Sequence, residues 1–279
     1  MSALNALLEK LSPIALLNAF AARANIETAR YGELDRQVLD VYGPRGRGPH
    51  PVAVFFYGGG WEEGDRAPYR FVGAALAAAG ILTVIPDYRV YPEVRIGGML
   101  EDGAAAVRWA HDYAAQFGGD RQQLVLVGHS AGAHIAGMLA MDASWLRRAG
   151  LGRDAVRGWV GLAGPYDFEP DTPNRLALLG PDRRRSQPIG FVRRDAPPAL
   201  LGAPRRDQVV DPGNATRLAT AMVRAGAEAQ VRVYPRADHA SILGAFSPLL
   251  RFLGPVFRDT TTFIRRVTAE AARQESEAA

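Results

Sequence analysis

Apolar residues in this chain come as short dense runs separated by longer helix-compatible stretches, with glycine or proline at most junctions. Pro51 to Tyr57, Ile81 to Ile85, Leu124 to Val127 and Ala199 to Ala203 are dense apolar runs, the pattern of strands buried on both faces, and Val156 to Leu162 reads as another strand. Gln37 to Tyr42 alternates instead and predicts an early antiparallel strand, and Ala229 to Tyr234 predicts the last strand. Between these runs, Pro68 to Ala79 ends at Gly80, Gly103 to Phe117 ends at Gly118-Gly119-Asp120, and Ala133 to Ala140 is small and apolar; all three predict helices. Helix alternating with strand implies an α/β class, with a mostly parallel central sheet and helices on both faces. Ligands of such sheets bind beyond the carboxyl ends of the strands, where Tyr57, Asp87 and Gly128 fall.

The two ends and one internal stretch depart from this rhythm. Residues 3 to 22 are mostly apolar with Pro13 interrupting them, which predicts a small N-terminal helical cap within 1–30 ahead of a main domain over 31–268. From Phe168 to Pro198 periodicity disappears; an insertion at that place either covers a site and selects its ligand or is an ordinary surface excursion, and the residues favour neither. Residues 269–279 read as a polar tail.

Composition narrows the classes. With 279 residues and 48% hydrophobic content the chain can bury a large core, and with no cysteine it has no disulfide, thiolate nucleophile or cysteine metal site. The net charge of +4 comes from arginines scattered as pairs, with Arg183 to Arg185 the one triplet and Lys10 the only lysine. Without aromatic interleaving this reads as a solvated surface, so no nucleic-acid partner is expected. The N-terminus lacks a basic start and Glu9-Lys10 interrupts its apolar residues, so no secretory signal is expected. Gln122 to Met141 is long and uncharged enough to imitate a membrane helix, but its glycines and Ser130 divide it into strand and helix. A cytoplasmic protein without a membrane span follows, with room for a homodimer.

The candidate chemistry sits at that division. Gly128-His129-Ser130-Ala131-Gly132 fits the G-x-S-x-G nucleophile elbow, with an apolar strand before it and a helix after it. Gly128 and Gly132 remove Cβ atoms that would collide where strand and helix approach, and the turn aims the Ala131 N–H toward a developing oxyanion. Gly58-Gly59-Gly60-Trp61 follows another strand end, where glycines let backbone N–H groups face a ligand. A dinucleotide loop is excluded, because its spacing needs glycine at the position held by Glu63.

A serine hydroxyl needs a base, and the base needs a carboxylate to orient it. Of five histidines, His50 precedes a proline in a turn, His111 lies in a helix, the elbow points His129 elsewhere, and His134 belongs to the buried helix. His239, after the last strand, remains. Asp207 follows the Ala199 to Ala203 strand and gives the chain order Ser, Asp, His, with Asp211 and Asp238 as competitors. Trp61 and His129, beside the glycine run and the serine, are candidate substrate contacts.

The set Gly58-Gly59-Gly60-Trp61, Asp87-Tyr88-Arg89, Glu101-Asp102, Gly128 to Gly132 and Asp238-His239-Ala240-Ser241 resembles the α/β-hydrolase superfamily. More closely it resembles bacterial serine carboxylesterases related to hormone-sensitive lipase and to kynurenine formamidase. The resemblance implies an α/β-hydrolase fold, Ser130 as nucleophile, Asp207 as orienter and His239 as base. It also implies an oxyanion hole from the N–H groups of Gly59, Gly60 and Ala131, and hydrolysis of a small-molecule ester with no cofactor and no metal. Amide hydrolysis of the arylformamidase kind, and a non-catalytic binding protein on the same fold, are the alternatives. One departure stands out: relatives usually carry histidine before the three glycines, where this chain has Tyr57.

Overall fold

The computed structural model describes residues 13–180, 182 and 185–278. The first half of the predicted N-terminal segment 3–22 and Arg183-Arg184 therefore lie outside the described residues. In chain order the elements are α1 (Pro13–Ala19), β1 (Asn25–Arg30), β2 (Val38–Gly43), β3 (His50–Phe56), α2 (Arg70–Ala78), β4 (Leu82–Pro86), α3 (Ile96–Tyr113), β5 (Gly119–His129), α4 (Ala131–Met141) and α5 (Ala143–Arg148). They continue with β6 (Gly158–Leu162), α6 (Pro173–Leu179), β7 (Ala199–Pro204), α7 (Gly213–Arg224), β8 (Ala229–Tyr234), α8 (Ser241–Gly244) and α9 (Val256–Ala278).

Eight strands form one sheet in the order β1-β2-β4-β3-β5-β6-β7-β8. β2 pairs antiparallel with both β1 and β4, and every later pairing is parallel. β3 and β5 lie side by side at the centre, with Phe56 in register with Gly128, so the glycine loop and the serine turn leave neighbouring strands at the same edge. The apolar runs behave as their continuity requires: Val52 to Phe56 and Leu124 to Val127 are wholly buried. Helix α4 is buried along its whole length, as an all-apolar helix must be. It runs directly behind the sheet centre, which fixes the direction in which Ser130 enters.

Three expectations change, two of them about the ends. Residues 25–30, assigned to the helical cap, form edge strand β1; its side chains are almost all exposed, so it carries no apolar pattern to read. Its backbone pairing with residues 38–43 creates it. The segment 269–279, expected as a polar tail, is helical through Ala278 as the end of α9. Val256, Thr260, Ile264, Val267 and Ala271 give α9 one buried stripe, which packs on β5 and β6. Its polar face carries Arg266, paired with Glu270 one turn on and with Glu228 before β8. His50 is the first residue of β3 rather than part of a turn, at the end of the sheet away from Ser130.

The described part of the cap is short. Asn18 in α1 accepts from the Phe71 N–H at 2.9 Å and donates to the Pro68 carbonyl at 3.0 Å, clipping α1 to the start of α2. Within 168–198 the structure forms α6, capped by the Thr172 hydroxyl, and a single turn of 3-10 helix over Pro188–Phe191. No helix among the described residues is long and apolar enough to cross a membrane.

Candidate active site

Ser130 stands between the last residue of β5 and the first of α4 with φ 53° and ψ −123°, a backbone region that holds a non-glycine residue only under strain of about 1–3 kcal/mol. The surroundings enforce it. The Ser130 N–H bonds the Leu162 carbonyl at 2.9 Å, and its own carbonyl accepts from Ala133 and His134 to start the helix. A Cβ on Gly128 would stand 2.2 Å from the Gly132 carbonyl oxygen, and one on Gly132 would stand 2.1 Å from that of Phe56. Both glycines are therefore there for the close approach expected of them. At the first turn of α4 the Ala131 N–H has no carbonyl within the helix to meet, which leaves it open to an incoming oxyanion.

His239 joins the serine to a carboxylate. Its Nε2 is 2.9 Å from Ser130 Oγ, and its Nδ1 is 2.9 Å and 3.1 Å from the two carboxylate oxygens of Asp207. A carboxylate only accepts, so Nδ1 carries the proton and the Nε2 lone pair faces the serine hydroxyl. Asp207 is itself immobilised, with a side chain only 1% exposed and Oδ1 accepting from the N–H groups of Val209 and Val210.

The competitors have other work. Asp211 accepts from the Gly213 N–H and pairs with Arg217 at 2.9 Å, and that guanidinium holds its carboxyl below the usual range. Asp238 exchanges hydrogen bonds with Ser241, which likewise depress its pKa.

Across from Ser130, residues 59–61 adopt three successive positive φ values, 133°, 61° and 66°. Glycine reaches such values freely; Trp61 does so because its ring is buried in a stack. That ring lies 6.0 Å from Phe168 at 16°, and meets His134 edge-on at 5.3 Å. The run is tied from behind: the Gly59 carbonyl accepts from Glu62 and Glu63, and a Cβ on Gly59 would stand 2.0 Å from the Glu63 carbonyl oxygen.

Tyr57, where relatives carry histidine, is wholly buried between the rings of Tyr69 and Tyr88. Its hydroxyl donates to Asp87 at 3.0 Å, and burial keeps the phenol protonated by raising its pKa. Asp87 also accepts from the Arg66 N–H at 2.7 Å and pairs with the Arg66 guanidinium. Asp87 thus serves in an ion pair and as an anchor of the glycine loop, while Arg89 forms a two-pronged pair with buried Asp102.

These groups open onto a cavity of about 1040 Å³ lined by Gly58 to Glu63, His129, Ser130 and His239 on one side. Phe168, Arg175, Val209 and Asn214 are among the other residues that line it. The predicted insertion therefore does border the site, and its first residue is held firmly. Gln187, fully buried, accepts from the Phe168 N–H at 2.8 Å and donates to the Phe168 carbonyl at 2.7 Å. Asn214, also buried, accepts from the N–H groups of Tyr166 and Asp167 and donates to the Asp211 carbonyl. Sequence reasoning missed both amides. The only local trace is Asp211-Pro212-Gly213-Asn214, a helix-start pattern that says nothing of the loop 48 positions away.

His129, expected to touch substrate, withholds both ring nitrogens from the cavity: Nε2 bonds the His239 carbonyl at 2.8 Å and Nδ1 is buried. Burial, and secondarily the charge of His239, lower its pKa from 6.5 to about 4. Burial does the same to His134, whose Nε2 donates to the Ser186 carbonyl. Among the described residues no cluster of histidine and carboxylate side chains could hold a metal.

Comparison with known proteins agrees with this architecture. The BD-FAE family model matches residues 39–168. Esterase LipC of Mycobacterium tuberculosis is 33% identical over 269 residues, covering 85% of this chain and 66% of its own length. A probable isoprenylcysteine alpha-carbonyl methylesterase of rice, Oryza sativa, is 32% identical over 155 residues, 54% of this chain and 37% of its own. The chain thus spans less than two thirds of these curated relatives. Among solved structures, a truncated carbohydrate esterase from gut microbiota superposes with a TM-score of 0.77 at 21% identity, covering 89% of this chain and 98% of that one, a likeness of fold. A mostly parallel eight-stranded sheet, a strained serine at the turn after β5 and the superposed structure carry one conclusion: the chain has the α/β-hydrolase fold, and in sequence it is similar to esterases.

Proposed function

We propose that this protein is a serine carboxylesterase that cleaves esters of small or medium acyl chain through an acyl-enzyme. The observation that carries the proposal is His239, which bridges Ser130 Oγ and the Asp207 carboxylate, at 2.9 Å from each, on the wall of an open cavity. His239 Nε2 takes the Ser130 proton as Oγ bonds to the ester carbonyl carbon, and the electron pair of the C=O bond moves onto oxygen. The N–H groups of Gly59, Gly60 and Ala131 receive that oxyanion; a single such donor contributes about 3 kcal/mol in known serine hydrolases. Collapse expels the alcohol, which leaves with the proton from His239. Water then repeats the sequence on the acyl-enzyme, and Ser130 is restored.

Asp207 keeps the imidazole in the tautomer that accepts from serine and stabilises the imidazolium. Trp61 and Phe168 supply the aromatic wall against which substrate packs, and no cofactor or metal takes part. The same reading has a small-molecule ester as partner rather than nucleic acid, a cytoplasmic location, and a homodimer as the form to look for by size-exclusion chromatography.

Short-chain aryl esters are the substrate with which to measure this. Ser130→Ala should abolish turnover and labelling by a fluorophosphonate, and Asp207→Asn should lower kcat by about four orders of magnitude, the loss known for the wrong tautomer. Asp211→Asn should leave most of the rate. Full turnover by Ser130→Ala would exclude the assignment, and faster cleavage of N-formylkynurenine than of esters would move the activity to amides.

A further inference from the structure

His129 borders the cavity, yet acyl transfer by Ser130, His239 and Asp207 makes no use of it. Its Nε2 lies 2.8 Å from the carbonyl oxygen of His239, 110 positions away in the chain. A carbonyl only accepts, so Nε2 carries the proton and Nδ1 the lone pair. Nδ1 is buried without a partner and faces the glycine loop: a Cβ on Gly58 would stand 3.2 Å from it and 2.9 Å from Ser130 Cβ. The ring thus fills the corner where the glycine loop, the serine turn and the His239 loop meet, 5.2 Å from the His239 ring between centroids. Two other ties reach that loop from elsewhere, the Arg206 N–H to the Ala237 carbonyl at 3.3 Å and Arg236 to the Phe252 carbonyl at 3.3 Å, both before His239; from Asp238 onward the other backbone bonds are local. Asp238 and Ser241 bond each other, and the Ile242 N–H returns to the Asp238 carbonyl, so the bond from His129 is the one that reaches the backbone of His239 itself from across the sheet edge.

We propose that His129 is a positioning residue, whose Nε2–H latches the His239 loop by its backbone and so holds the imidazole within reach of Ser130. It acts on the base through the backbone and not the ring: the carboxylate sets the ring's tautomer and tilt, and the latch sets the position of the backbone that carries it. The latch works as a neutral ring. A proton on Nδ1 would find no acceptor and would stand beside the imidazolium formed at His239, with Asp207 already engaged by that ring.

This inference rests on Ser130 and His239 being nucleophile and base. The deciding pair is His129→Gln and His129→Asn. Glutamine places an amide N–H where Nε2–H stands, whereas asparagine ends at the position of Nδ1 and falls short of the carbonyl; the two are alike in polarity. Rates are expressed per site titrated by a fluorophosphonate, so that poor folding lowers the number of sites and not the rate.

Because a displacement of ~1 Å at a reacting group can cost a hundredfold, the Asn variant should lose about tenfold or more in kcat at nearly constant KM, with Gln within about threefold of the parent. Equal kcat for the two variants, both high or both low, overturns the latch while leaving the esterase reading intact. A parent protein that neither turns over esters nor takes the label at Ser130 would overturn that reading, and the latch with it.

Discussion

Asn214 offers a clean measure of how the two loops beneath the site are held together. Its side chain, in a residue 2% exposed, accepts from the Tyr166 and Asp167 N–H groups at 2.8 Å each, and donates to the Asp211 carbonyl at 2.9 Å. The first two belong to the loop after β6 that leads into Phe168, and the third to the loop after β7 that carries Asp207. Asn214→Ala removes all three bonds.

A buried donor left unpaired costs about 1–3 kcal/mol. The Tyr166 N–H, in a wholly buried residue, should bear that in full, and the Asp167 N–H, nearer solvent, in part. The loss should total about 3 kcal/mol, which for a domain of this size lowers Tm by roughly 6–12 °C. Arg217 spans the same loops from outside, bonding Asp167 and Asp211, but its side chain is 43% exposed and its pairs contribute little.

Asn214→Asp keeps the acceptor for both N–H groups but buries a charge and turns an oxygen on the Asp211 carbonyl, so it should also be less stable than the parent. Urea unfolding of the parent and both variants, at unchanged m, measures the two steps. An alanine variant within ~1 kcal/mol of the parent refutes the idea that these acceptor bonds hold the loops.

Gly132→Ala sets sterics against propensity. Alanine is better than glycine in a helix by about 1 kcal/mol, yet its Cβ would stand 2.1 Å and 2.3 Å from the carbonyl oxygens of Phe56 and Tyr57, so the variant should fail to fold and soluble yield with native circular dichroism should vanish. A variant as stable as the parent would show that the elbow can relax. His134 gives a pH dependence. Its pKa falls from 6.5 unfolded to about 4 folded, so the unfolded chain binds a proton that the native protein refuses, and stability drops as pH falls from about 6.5 to about 4, by up to ~3 kcal/mol. His134→Gln, whose amide reaches the Ser186 carbonyl without titrating, should flatten that slope; parallel urea-midpoint profiles against pH would contradict it.

Much of this molecule is written locally. Dense apolar runs identified the central strands of the parallel sheet, because a strand buried on both faces has no solvent side to hold charged residues. Gly128 and Gly132 identified the serine turn, because no other residue tolerates backbone carbonyls about 2 Å from a Cβ position. His239 emerged by elimination, because few histidines exist and the rest lie on elements that exclude them.

Other features depend on partners distant in sequence. Edge strand β1 has no apolar period and exists through its pairing with β2. The end of α9, polar enough to read as a tail, is carried on by the helix whose stripe docks on β5 and β6. Asp207 and Asp211 are indistinguishable by spacing; only the turn that aims one at His239 and the other at Arg217 separates them. The same holds for His129, Gln187 and Asn214, each of which satisfies backbone groups from another part of the chain. Hydrophobic periodicity and glycine sterics act over a few residues and survive in one dimension. A hydrogen bond between distant segments leaves no mark on either until the sheet has brought them together.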